Sequence, residues 1–189
     1  MNIIETNIKG LLIIEPRVFS DARGYFFESF SQKNFEEKVC KTIFVQDNES
    51  QSTYGVLRGL HFQKPPYAQS KLVRVIKGKV LDVAVDIRVG SPTYGQHITV
   101  ELSEENKRQF FLSRGFAHGF VVLSDEAIFQ YKCDNYYEPQ SEGSLAWNDP
   151  ALEIDWQIDL DKVVLSEKDK KSPLLKDLEE VFNIDMQMY

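Results

Sequence analysis

His61, Lys71, His118 and Tyr131 are the residues of this chain whose types and neighbours could move protons. His61 lies in Val56-Leu57-Arg58-Gly59-Leu60-His61-Phe62-Gln63, a strand-like run that contains a glycine and carries Arg58, with Lys71 further on. An imidazole ordinarily titrates near pH ~6.5, so it can take and return a proton at neutral pH. Tyr131 shares a strand face with Ala127, Phe129 and Cys133, so its hydroxyl enters an apolar interior where it needs a partner. Lys71 opens a strand whose alternation could aim its ammonium the same way. A phenol, an imidazole and an ammonium in one cavity form an acid–base set. His118 follows Arg114-Gly115-Phe116-Ala117 and shares a face with Phe120 and Val122, a setting where histidine is more often structural. His97, beside Gln96 in a polar turn without a charged companion, reads as a surface residue. On these residues alone, packed side chains with satisfied polar atoms remain the competing reading.

The elements that would hold these groups are strands. From Leu11 to about Tyr137 the chain runs in short β-branched and aromatic segments broken by Gly, Pro, Asn and Asp, the pattern of an antiparallel sandwich or barrel. The clearest strand is Val80 to Ile87, with Leu81, Val83, Val85 and Ile87 on one face and Asp82 and Asp86 on the other. Leu72 to Lys77 is its expected partner, turning through Gly78. Further strands are expected over Leu11 to Glu15, Gly24 to Ser29, Ile43 to Asp47, Val56 to Phe62, His97 to Leu102, Gln109 to Leu112, His118 to Leu123 and Ala127 to Cys133. These spacings suit an all-β jelly roll. Two helices are expected, Ser31 to Lys38 with a Ser31 cap, and Pro173 to Phe182, where Ser172 could cap and Leu174, Leu175, Leu178, Val181 and Phe182 recur at helical spacing. No repeat or Gly/Ser linker interrupts the chain, so residues 1–189 are expected to form one domain, with a tail of about 148–189 wrapped around it.

Composition narrows the classes of function. A formal net charge of -7 repels nucleic acid and gives no pull toward anionic membranes, so a phosphate ligand would need locally gathered cations. No apolar run approaches the ~20 residues that span a bilayer, and the first residues lack a secretion signal, so a cytoplasmic protein is expected. Cys40 and Cys133 are too few for a disulfide scaffold and read as packed thiols. Jelly rolls of the cupin type often hold metal through His-x-His followed by Glu. Here Gln63 stands two residues after His61 and no cysteine falls at ligand spacing, so no metal site is expected.

The ordered motifs resemble those of the dTDP-4-dehydrorhamnose 3,5-epimerase family. They are Phe19-Ser20-Asp21-Ala22-Arg23-Gly24-Tyr25-Phe26-Phe27-Glu28, Val45-Gln46-Asp47-Asn48, Leu57-Arg58-Gly59-Leu60-His61-Phe62-Gln63 and Asp82-Val83-Ala84-Val85-Asp86-Ile87-Arg88. Then come Gly115-Phe116-Ala117-His118-Gly119-Phe120, Ser141-Glu142-Gly143, Trp147-Asn148-Asp149 and Leu165-Ser166-Glu167-Lys168-Asp169. The resemblance spans nearly the whole chain. It implies a cupin-like jelly roll that inverts carbons 3 and 5 of a dTDP-4-keto-6-deoxy sugar on the way to dTDP-L-rhamnose, with no cofactor and no metal. It further implies His61 as base, Asp169 as its orienting carboxylate, Tyr131 as acid on the opposite ring face, and Lys71 beside the ketone oxygen. Arg23, Arg58 and Lys168 would contact the diphosphate, and Phe26, Glu28, Gln46, Asp47, Asn48, His118 and Glu142 match other substrate-binding positions. The family is typically a homodimer with exchanged N-terminal strands, so Arg23, Phe26 and Glu28 would serve the neighbouring subunit's site.

Two departures from the family pattern stand out: Ser70 replaces a usual glycine before the lysine, and Lys64-Pro65-Pro66-Tyr67 varies a loop bordering the site. Neither removes a catalytic group. Relatives that invert only one of the two carbons keep much of the same constellation, which makes a single-centre epimerase the first alternative. A sugar-nucleotide-binding cupin without turnover and a metal-dependent cupin are rivals from other classes.

Overall fold

The computed structural model describes residues 1–189. Two antiparallel sheets face each other. One runs in the order β1 (Asn2–Glu5), β2 (Leu11–Glu15), β10 (Gln109–Leu112), β7 (Lys71–Lys77), β12 (Glu126–Cys133), β5 (Gln46–Thr53). The other runs β13 (Glu142–Ser144), β6 (Leu57–Gln63), β11 (Phe116–Val122), β8 (Lys79–Asp86), β9 (His97–Ser103). A small hairpin of β3 (Phe19–Asp21) and β4 (Gly24–Phe26) pairs only with itself. This is the expected all-β, cupin-type jelly roll.

Three apolar clusters explain why the strands read as they do. The inner one fills the space between the sheets with Val73, Val75, Val80, Ala84, Phe110, Phe116, Phe120, Val122, Ala127 and Phe129. A second lies on the outside of the five-stranded sheet, where Leu81, Val83, Val85, Ala117 and Val121 meet Leu152, Trp156 and Phe182 of the C-terminal tail. The third lies under α1 (Gln32–Lys38), where Phe35 packs on Ile14, Leu72 and Phe111 of the six-stranded sheet. Ser31 caps that helix as expected, accepting from the Asn34 amide at 3.3 Å.

Several expectations are corrected. The Leu72–Lys77 and Val80–Ile87 segments do not form a hairpin: β7 joins β10 and β12, while β8 joins β11 and β9, so Gly78 at φ +77° turns the chain from one sheet to the other. Both sides of β8 are covered, so Asp82 and Asp86, on the face opposite Leu81, Val83 and Val85, are buried as well. The helix expected over Pro173 to Phe182 is absent, with only a 3-10 turn at Leu175–Asp177. The Leu175 amide donates to Asp149 Oδ2 at 2.6 Å, and the Phe182 carbonyl accepts from the Val89 amide at 3.0 Å, so extended chain spreads those apolar residues over the sheet. The strand expected over Gly24 to Ser29 ends at Phe26, and the one expected over Ile43 to Asp47 begins at Gln46. His97 heads β9 and is half-buried, with burial holding its imidazole below the ordinary value. No helix is long and apolar enough to cross a membrane.

Phe182 is 4% exposed and meets the edge of Phe62 at 5.9 Å between ring centroids. Phe182→Ala should cost about 3 kcal/mol and lower the melting temperature by roughly 8 °C, measured by calorimetry. A shift under about 2 °C would contradict this packing of the tail.

Candidate active site

A cavity of about 600 Å³ opens between the sheets, a size suited to a small-molecule ligand. Strand alternation brings most of its lining there. On β12, Ala127, Phe129, Tyr131 and Cys133 face inward, and on β11 His118 follows the same rule beside Phe116 and Phe120. Lys71, at the start of β7, shares the inner face with Val73 and Val75.

Strand β6 breaks that rule in a way the site depends on. Arg58 and His61 are three residues apart, so strict alternation would put them on opposite faces, yet both line the cavity. A bulge reconciles them: His61 pairs with His118 and Arg58 with Phe120, so that Gly59 and Leu60 on β6 oppose Gly119 alone on β11. Gly59 sits in it at φ +138°, and a Cβ there would lie 2.5 Å from the Gly119 Cα, so only glycine fits.

His61 Nε2 lies 2.5 Å from Asp169 Oδ1, a residue delivered by the tail just after Leu165 and Ser166. Burial alone would raise the Asp169 carboxyl, but the bond with His61 and donors from Ser166 and Gly59 outweigh it and hold the group below the usual carboxylate range. Asp169 is therefore ionised at neutral pH. With Nε2 held this way, Nδ1 is the ring nitrogen left for another proton.

The opposing groups are set differently. Burial, reinforced by neighbouring Cys133, pushes the Tyr131 phenol up to about 12, so it stays protonated and can donate. The Lys71 ammonium lies 5.7 Å from the Tyr131 ring centroid, and burial pulls its pKa below the ordinary lysine value. His118 Nε2 lies 3.0 Å from each carboxylate oxygen of Asp82. Toward the mouth, Lys168 pairs with Glu142, and Arg58 Nε donates to Ser52 Oγ at 3.1 Å.

The structure thus gathers His61, Lys71, Tyr131, Asp169, Asn48, Arg58, His118, Glu142 and Lys168 around one space. Gln46 and Asp47 flank it on β5: Gln46 donates to Asn48 Oδ1 at 3.0 Å and accepts from the Tyr137 amide, while Asp47 pairs outward with Lys132 at 2.9 Å. Arg23, Phe26 and Glu28 do not line the cavity. Arg23 pairs with Asp21 at the exposed hairpin tip, Phe26 is 70% exposed, and Glu28 accepts from Asn34 at 2.7 Å. Gln63, at the metal-ligand position of other cupins, uses its amide as a donor to the Tyr67 and Tyr136 carbonyls. Asp82 and Ser166 belong to the site but escaped the sequence reading, Asp82 because one alternating strand does not reveal which face is wet.

A carboxyl whose folded pKa is lowered adds stability that is present above its unfolded value of ~3.9 and lost as pH falls through the folded value. Asp169→Asn should therefore destabilise the protein by about 1 kcal/mol at pH 7, with the gap to wild type closing below about pH 4 in denaturant titrations. A gap independent of pH would contradict an ionised Asp169.

A family model described as dTDP-4-dehydrorhamnose 3,5-epimerase matches residues 5–177. The dTDP-4-dehydrorhamnose 3,5-epimerase of Shigella flexneri is 56% identical over 170 residues, which cover 89% of this chain and 93% of that protein. The crystal structure of a dTDP-6-deoxy-D-glucose-3,5-epimerase from Legionella pneumophila, in complex with dTDP-4-keto-L-rhamnose, superposes with a TM-score of 0.94 at 52% identity, covering 98% of this chain and 99% of that one. A 3'-monoepimerase from Streptomyces bikiniensis shares the fold at a TM-score of 0.88 but is 32% identical, covering 95% of this chain and 92% of that one. The chain belongs to the dTDP-4-dehydrorhamnose 3,5-epimerase family.

Proposed function

We propose that the cavity inverts carbons 3 and 5 of dTDP-4-dehydro-6-deoxy-D-glucose with His61 as base and Tyr131 as acid. The observation that carries this is the meeting of His61, Lys71 and Tyr131 in one cavity between the sheets. A 4-ketone acidifies the hydrogens on carbons 3 and 5, because loss of either leaves an enolate. His61 takes that proton through Nδ1, while Asp169 at Nε2 holds the tautomer and stabilises the imidazolium. The Lys71 ammonium stands by the oxygen where charge develops, on the inner wall of the cavity. Tyr131 then gives its proton to the same carbon from the opposite face, which inverts the centre. Return of a proton from His61 and gain of one by Tyr131, through solvent, reset the pair for the second carbon.

Arg58 and Lys168 supply the local positive charge that the diphosphate needs in an acidic protein, with Lys168 leaving Glu142 for phosphate oxygens. Asn48 and its neighbour Gln46 offer paired donors and acceptors suited to a pyrimidine edge. Glu28, Phe26 and Arg23 complete the site from a second subunit of a homodimer. The hairpin supports that reading, since Phe19, Tyr25 and Phe26 are 51%, 58% and 70% exposed on strands with no other partner.

In deuterated buffer the substrate should gain deuterium at carbons 3 and 5, read by NMR. Incorporation at neither would overturn the proposal, and incorporation at one would assign the chain to the single-centre epimerases. His61→Ala should lower kcat by about 10³ and abolish exchange, whereas Tyr131→Phe should block inversion but leave exchange on the His61 face. Mixing inactive His61→Ala and Arg23→Ala proteins should restore activity, because a mixed dimer contains one intact site. No recovery after subunit exchange would place Arg23 in its own subunit's site or outside both.

A further inference from the structure

Asp82 is the one fully buried carboxylate beside the cavity that the proposed proton transfers do not use. Its side chain is 0% exposed, and both oxygens lie 3.0 Å from His118 Nε2. Burial raises its carboxyl, and His118 and Lys71 oppose that rise. An ionised carboxylate in such a place must have a cationic or donor partner. The same need holds for Lys71, whose ammonium is disfavoured by burial and supported by Cys133, Asp82 and Glu142.

Those three supports are not equal. Cys133 is buried and its thiol is pushed up to about 11, so it carries no charge at neutral pH. Glu142 is partly exposed and already paired with Lys168. Asp82 alone is fully buried, and the imidazole of His118 is its hydrogen-bond partner. The other titratable groups lining the cavity with Lys71 are Glu49 from β5, His61 and Arg58 from β6, His118 from β11, Tyr131 from β12, and Lys168 and Asp169 from the tail, and β10 contributes none.

We propose that Asp82 is a positioning residue for the reaction: the fixed counter-charge of the Lys71 ammonium and the orienting partner of His118. The ionised carboxylate accepts a hydrogen bond from His118 Nε2–H, which leaves Nδ1 as an acceptor on the other side of the ring. His118 is kept in place by its stacking on Phe129, at 6.3 Å and 28°. The site thus has two imidazole–carboxylate pairs on neighbouring strands, with His61 and His118 directly opposite each other in register. One pair moves the proton. The other holds still and keeps charged the group that receives the enolate. The proposal rests on Lys71 standing beside the ketone.

Removing a negative charge lets a buried ammonium lose its proton at lower pH. In Asp82→Asn the basic limb of the kcat–pH profile should move about one to two pH units toward acid, with about a 10-fold or greater loss of kcat above the limb, a smaller loss below it, and KM changed less than about 3-fold. Asp82→Glu should recover part of the shift. Lys71→Arg, whose guanidinium does not titrate in this range, should remove the limb. A limb that survives Lys71→Arg would overturn the reading of Lys71. A limb that follows Lys71 but does not move in Asp82→Asn, or a loss equal at every pH, would overturn the role of Asp82 alone. Should Asp82→Asn fail to fold, His118→Gln decides: Asp82 still faces Lys71, so the limb should stay within about half a pH unit while kcat falls. A shift as large as a full unit in that variant would overturn the proposal.

Discussion

His61 and Asp169 are 108 residues apart in the chain and 2.5 Å apart in space, and nearly everything else in the fold bears on that contact. It requires the tail to cross the five-stranded sheet, which it does by laying Trp156 and Phe182 on the sheet's outer face. It also requires His61 to leave the face that strict alternation assigns relative to Arg58, which the Gly59 bulge accomplishes. An imidazole without its carboxylate would lose both its tautomer and the stabilisation of its charged form.

The cavity separates its titratable groups by environment. Asp169 is held ionised by donors, Tyr131 is held protonated by burial, and Lys71 is pulled toward neutrality by burial. Groups whose environments push their proton affinities apart can take on distinct acid and base roles at one pH. The inner wall formed by Phe120 and Phe129, stacked at 4.1 Å, lowers the local dielectric and strengthens those charge effects.

Much of this was legible in the residues. Alternation alone placed Tyr131 with Phe129 and Cys133, and His118 with Phe120, on inward faces. The Ser31 cap marked the helix that covers the six-stranded sheet. What failed was nonlocal. Gly78 looked like a hairpin turn because sequence neighbours usually pair, but in two stacked sheets a corner serves as well. The apolar spacing from Leu174 to Phe182 looked helical because a periodic pattern does not report whether a sheet waits beneath it. The burial of Asp82 escaped for a related reason, since its face, shared with Val80 and Ala84, is covered by the opposite sheet, which the alternation of one strand does not report.

The central claim is that one imidazole and one phenol address opposite faces of the sugar ring. A crystal structure of the protein with a bound dTDP-4-keto-6-deoxy sugar tests it most directly. The account predicts His61 Nδ1 and Tyr131 Oη within about 3.5 Å of the ring on opposite sides, with Lys71 Nζ at hydrogen-bonding distance from the carbonyl oxygen. Both groups on one face, or the ring seated away from Tyr131, would contradict it.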